Sequence, residues 1–207
     1  MATGSRASGN KAWADARAWV LDNGRRTGHE YLCAYNDRTW RAFGFHTDNS
    51  PDKVHLPHGL EQRALGGGSR VGIHHNHPNS SALTVVDIRN LAIYPSIYAI
   101  VAHAHDGSDY MAEAVEKGNI LKELHAFESA SLRILRNDPD AVRLNADGLL
   151  YKLRGHLLCS ALEQANVIRY RFGLSRELDA LYGSDRIVEL IDRWLPLIVQ
   201  SSTVTRR

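Results

Sequence analysis

With 207 residues, 43% of them hydrophobic, the chain is long enough to bury the core of one medium domain, alone or with an extension, which excludes a disordered protein. A net charge of +2, divided as −1 through Glu116 and +3 beyond it, is too slight to argue for a nucleic-acid surface, and no apolar run is long enough to span a bilayer. The two cysteines, Cys33 and Cys159, are too few for a disulfide framework; read as buried free thiols, with no hydrophobic segment after Arg6, they favour a reducing, cytoplasmic setting.

Residues 1–10 are small and polar and read as a disordered lead-in. Trp13, Ala16, Val20 and Leu21 then recur at helical intervals and meet Gly24 where a C-terminal cap belongs, so a first helix is expected from Lys11 to Asn23. A hairpin follows, Glu30 to Tyr35 and Thr39 to Phe45, about an Asn36-Asp37 turn. The polar stretch from His46 to Ser69 reads as a surface connection without a catalytic role, ahead of a strand from Arg70 to His75. Thr84 has the chemistry of an N-cap, for a helix ending near Ile93 before Pro95. Ile97 to Ala102 is a buried strand, and Asp106-Gly107-Ser108 turns it into Tyr110 to Val115. Past Glu116 the pattern is helical to the end. A stripe from Ile120 to Leu135 breaks at Asp138-Pro139, and helices follow at Leu149 to Phe172 and Arg186 to Val199, where Pro196 should end or kink the last. The organisation expected is an α/β domain over residues 11–116 and an α-helical extension over 117–207. The apolar stripes of the extension must pack on the sheet, on a partner or on a second copy.

The chemistry concentrates in His74 to Asp87, HHNHPNSSALTVVD. His75 and His77 present both rings on one face of an extended strand, and Asp87 returns after a short loop in the first turn of a helix. Two imidazole nitrogens and one carboxylate leave a tetrahedral Zn2+ with an open position, the pattern of a hydrolytic rather than a structural centre. Taken singly, strand histidines are ordinary polar residues and Thr84-Val85-Val86-Asp87 is a plain helix start; only together do they bring three donors to one ion. His74 should face away and pack. His103 and His105 form a second H-x-H, but no carboxylate follows at a comparable spacing, so they are not assigned to the metal. An HNH-type nuclease finger would need a final histidine on the helix that carries Asn90, and none stands before His103, beyond Pro95.

His75-Asn76-His77-Pro78, a loop and then Thr84-x-x-Asp87 resemble the motif of the JAB/MPN (JAMM) metallopeptidases, which is H-x-H, often with Pro, followed by S-x-x-D. Thr84 stands at the Ser position, and the loop is one residue shorter than in the commonest form. The resemblance runs from about Glu30 to about Val115, and the HNHP run is similar to the RadC-like, prokaryotic branch. It implies a mixed sheet flanked by helices, Zn2+ held by His75, His77 and Asp87, and a catalytic glutamate on an upstream strand. Glu30 matches that placement; Glu61 lies in the polar loop. The role implied for Glu30 is general acid/base, and for Thr84 a hydrogen bond to the oxyanion. The function implied is hydrolysis of a peptide or isopeptide bond in a protein substrate, ubiquitin-like tails included. Two alternatives stand beside it. Thr84, the short loop and the extension suggest a metal-bearing binding scaffold without turnover, while a DNA-associated, RadC-like role draws no support from the charge.

Overall fold

The computed structural model of the chain describes residues 3–36, 38–39, 41–68 and 70–202. It opens with one long helix, α1 (Thr3–Thr27). Most of the expected disordered lead-in is therefore helical: once the segment around Ala16 and Val20 is packed, adding turns upstream needs no new nucleus. The helix also runs past Gly24. It stops at Gly28, which takes the left-handed turn at φ 76° while its N–H bonds the Gly24 carbonyl at 2.7 Å. The hairpin strands β1 (Leu32–Asn36) and β2 (Arg41–His46) come next; Asp37 of their expected turn lies outside the described residues. Within the stretch expected to be an irregular connection sits a short helix, α2 (His58–Leu65), whose Leu60 and Ala64 are buried on one face.

The central elements follow the sequence pattern closely: β3 (Val71–His77), α3 (Val85–Ile93), β4 (Ile97–Ala104) and β5 (Asp109–Ala114). Then come α4 (Lys117–Asn137), α5 (Pro139–Ala146), α6 (Leu150–Gln164), β6 (Ile168–Gly173), α7 (Arg176–Tyr182) and α8 (Asp185–Val199). Two expectations are corrected here. The helix expected through Phe172 gives way at Asn166, which is left-handed at φ 59°, and Ile168 and Tyr170 alternate with exposed Arg169 and Arg171 as a strand. Pro196 does not end the last helix, because buried Trp194 and Ile198 hold its final turn in the core.

The sheet order is β2-β1-β3-β4-β5-β6. β3 and β4 pair in parallel, connected through α3 as parallel neighbours require, and the other neighbours are antiparallel. Because β6 pairs with β5 from Ala114↔Ile168 to Asp109↔Gly173, the region after Glu116 completes the sheet instead of trailing from it. One continuous core joins Leu32 and Ile73 to Leu157, Trp194 and Ile198. The fold is thus a mixed α/β unit with a six-stranded sheet and, among the described residues, eight helices. None of these helices is long and apolar enough to cross a membrane.

Alternation along β3 divides the chemistry. Ile73, His75 and His77 face the side on which α3 and α6 pack, with α4 and α8 behind them. Gly72, His74 and Asn76 face α1. Glycine is required at position 72, where an added Cβ would lie 2.4 Å from the Tyr35 ring.

Candidate metal centre

β3 is buried along its whole length, so its last histidines leave the sheet inside the protein. His75 Nε2 and His77 Nε2 lie 2.8 Å apart; Asp87 places Oδ1 3.2 Å from the first and Oδ2 3.7 Å from the second. Donors about 2.0–2.1 Å from a tetrahedral ion stand roughly 3.3 Å from one another. The two Asp87 distances end on different oxygens, and with one donor atom taken from each residue all three lie within 4.8 Å of one another, so His75, His77 and Asp87 form a group that could hold a metal ion.

The surroundings turn each donor toward the common point. His77 Nδ1 is 2.9 Å from the Ser81 carbonyl, which accepts its proton and leaves the Nε2 lone pair facing the centre. Asp87 is held by Thr84, whose N–H and hydroxyl each donate to Oδ2 at 2.7 Å, while the Asp87 N–H returns a bond to the Thr84 hydroxyl. This is the expected N-cap, completed as a reciprocal capping box. It spends the only hydroxyl proton of Thr84 on the ligand, so Thr84 orients Asp87 and has no proton left to offer an oxyanion.

Charge in the group is shared unevenly. Burial opposes a charge on His75, but the charge and hydrogen bond of Asp87, together with Glu30 and the Val101 backbone, raise the imidazole above its ordinary value. Burial likewise opposes ionisation of Asp87, and the charge and hydrogen bond of His75, with His77 and the Thr84 N–H, together hold the carboxyl well below the usual range. His77, buried and beside that same charge, falls to about 4. Metal binding requires both imidazoles in the neutral form, so an entering cation competes with protons for this group.

Glu30 enters from the next strand. The β1–β3 register pairs Leu32 with His75, and continued two residues it sets Glu30 opposite His77 on the same face. Its N–H donates to the Ser50 carbonyl and its carbonyl accepts from the Thr47 hydroxyl, both at 2.7 Å, so the main chain is fixed although β1 begins only at Leu32. The residue is 7% exposed. Burial, offset in part by His75 and reinforced by Asp87 and Asp52, pushes its carboxyl up to about 7. Glu30, His75, His77, Thr84 and Asp87 line one cavity of about 500 Å3. Glu61 lines it too, but its carboxylate accepts from the Tyr94 hydroxyl at 2.9 Å and is committed to that contact.

The stretch before β3, read from sequence as a connection without a role, supplies a wall of this cavity through Asp52, Val54, His55 and Leu56. Asp48 pins it, 2.9 Å from the His46 ring and 2.7 Å from both the ring and the N–H of His55. Apolar side chains there face the cavity, a signal that the polar average of the segment conceals.

His74, His103 and His105 belong to the other face, toward α1. His74 Nδ1 lies 2.7 Å from His103 Nε2, and His103 Nδ1 lies 2.6 Å from Asp109, which Arg17 of α1 also binds. His105 contacts the Asn76 amide at 3.0 Å. Sequence reasoning did not find Ser81, Asn76 or Gly155. Gly155 of α6 lies so close to the loop before α3 that an added Cβ would be 2.7 Å from the Leu83 carbonyl, a long-range approach with no local sequence signature. Comparison of the chain with protein-family models, curated proteins and solved structures finds no match to any of them.

Proposed function

We propose that the chain is a zinc-dependent peptidase or isopeptidase of the JAMM type. The observation that carries this reading is the convergence of one donor atom each from His75, His77 and Asp87 within 4.8 Å of one another, with buried Glu30 in the same cavity. A donor set of two nitrogens and one oxygen suits zinc with a position left open. When bound, the ion supplies Lewis acidity that acidifies a water and polarises the scissile carbonyl.

The chain does the rest. Glu30, buried in the same cavity, takes a proton from the attacking water as the new C–O bond forms and returns it to the amide nitrogen as the C–N bond breaks. Thr84 and Ser81 keep Asp87 and His77 in their donor orientations. Leu32, Ile73 and Ile100 give the cavity an apolar side that limits bulk water around the proton transfer.

A second reading, a metal-bearing scaffold without turnover, rests on the Thr84 hydroxyl being spent on Asp87. One experiment separates the two. The zinc-loaded chain is incubated with unstructured peptides and with isopeptide-linked ubiquitin-like conjugates, and products are read by mass spectrometry. The hydrolase reading expects cleavage that a chelator stops, zinc restores and His77→Ala lacks. Zinc held in one-to-one ratio with no cleavage of any substrate overturns it in favour of the scaffold.

A further inference from the structure

Resting on the zinc-hydrolase reading above, we propose that Asn76, the residue between the two histidine ligands, is the positioning residue that sets the Glu30 carboxylate against the metal centre. The β3 alternation sends His75 and His77 to the cavity and Asn76 to the opposite face, where it is fully buried. Its hydrogen-bonding groups are spent on the residues that flank Glu30. The Asn76 N–H donates to the Tyr31 carbonyl at 3.2 Å, and its Oδ1 accepts from the Tyr31 N–H at 2.7 Å. Its Nδ2 donates to the His29 carbonyl at 3.0 Å and to His105 Nε2 at the same distance.

Regular strand pairing has ended here, since β1 starts at Leu32, and the side-chain amide continues the ladder in its place. Glu30 uses its own N–H and carbonyl in the other direction, toward Ser50 and Thr47. The main chain of Glu30 is therefore gripped from both edges, and the same strand residue that separates the ligands supplies one of the grips. An apolar residue of equal size would fill the space yet leave the His29 carbonyl and the Tyr31 N–H unpaired. Aspartate would set an oxygen against the His29 carbonyl. The amide is also confined: a Cβ at Gly24 of α1 would lie 2.2 Å from Asn76 Nδ2, so the helix seats directly on it.

Proton transfer needs the carboxylate within hydrogen-bond reach of the water, and a misplacement of about 1 Å costs about a hundredfold in rate. In the full-length, zinc-loaded chain, Asn76→Ala should therefore lower kcat by roughly ten- to a hundredfold with KM and the one-to-one zinc content unchanged. In a Glu30→Gln background, read on its residual single-turnover rate, the same substitution should add no further loss, because Asn76 acts through Glu30. Amide hydrogen exchange at Tyr31 should quicken roughly tenfold or more, while Ile73 in mid-strand keeps its protection. Unchanged kcat, zinc lost in step with activity, or a loss additive with Glu30→Gln would each overturn the proposal. If the wild-type chain itself binds zinc but hydrolyses nothing, the hydrolase reading fails, and exchange at Tyr31 alone judges the grip: unchanged protection in Asn76→Ala overturns that as well.

Discussion

At the scale of single residues, the cost of keeping Glu30 ready for chemistry is measurable apart from the chemistry. Its carboxyl is raised from an ordinary 4.5 to about 7, so the folded protein binds this proton more tightly than the unfolded chain does. The sign follows: the group favours folding fully below about 4.5 and loses that contribution as pH rises through 7. Glu30→Gln should therefore stabilise the metal-free protein by about 1–3 kcal/mol at pH 8 and leave it unchanged near pH 4, as read by denaturant unfolding at both values. In zinc-loaded protein the same variant should retain the ion and lose hydrolysis. Equal stability at pH 8 would show that the carboxyl is not raised, and retained turnover would remove Glu30 from the reaction. Thr84 gives a different expectation, since its hydroxyl serves Asp87. Thr84→Ala should cost about 1 kcal/mol through the lost cap and weaken zinc about ten- to a hundredfold, with kcat at saturating zinc little altered; Thr84→Ser should restore both. A large fall in kcat with zinc affinity intact would return the hydroxyl to the oxyanion.

Among the elements, those with a local signature were legible in the sequence and those assembled over distance were not. The span from β3 through β5 follows from short signals: a strand of buried residues, a Thr cap, a stop before Pro95 and an Asp-Gly-Ser turn. The grouping of His75, His77 and Asp87 was legible for the same reason, since they lie on adjacent elements joined by one short loop. β6 was hidden because Ile168, Tyr170 and Phe172 followed a helical run without a strong breaker, although their alternation with Arg169 and Arg171 was present. The Asn76 contacts and the seat of α6 on the metal loop depend on chain segments far apart, which spacing cannot reveal. That seat makes its own prediction. Alanine in mid-helix is favoured over glycine by about 1 kcal/mol, yet at position 155 it would press on the Leu83 carbonyl beside Thr84. Gly155→Ala should therefore fail to stabilise the protein and should weaken zinc binding, read together by unfolding midpoint and competition with a chelator. A more stable variant with unchanged affinity would show that the loop yields freely.

For the whole molecule, the region after Glu116 adds a strand to one edge of the sheet, shares the core that joins Leu32 to Trp194 and holds the loop that presents Asp87, with Tyr151 donating to the Asn79 carbonyl at 2.8 Å. A chain ending at Lys117 should expose the edge of β5 and the apolar faces of α3, and so aggregate or lose cooperative unfolding; a soluble, cooperatively folding product would mean that the sheet is independent of the later helices. The central claim is the metal centre, and an anomalous-difference map at the zinc edge, from crystals of the full chain grown with zinc, tests it most directly. The account predicts one strong peak bonded to His75 Nε2, His77 Nε2 and an oxygen of Asp87, with Glu30 beside it and not bonded to it. No peak between those three residues, or full occupancy at another site, would contradict it.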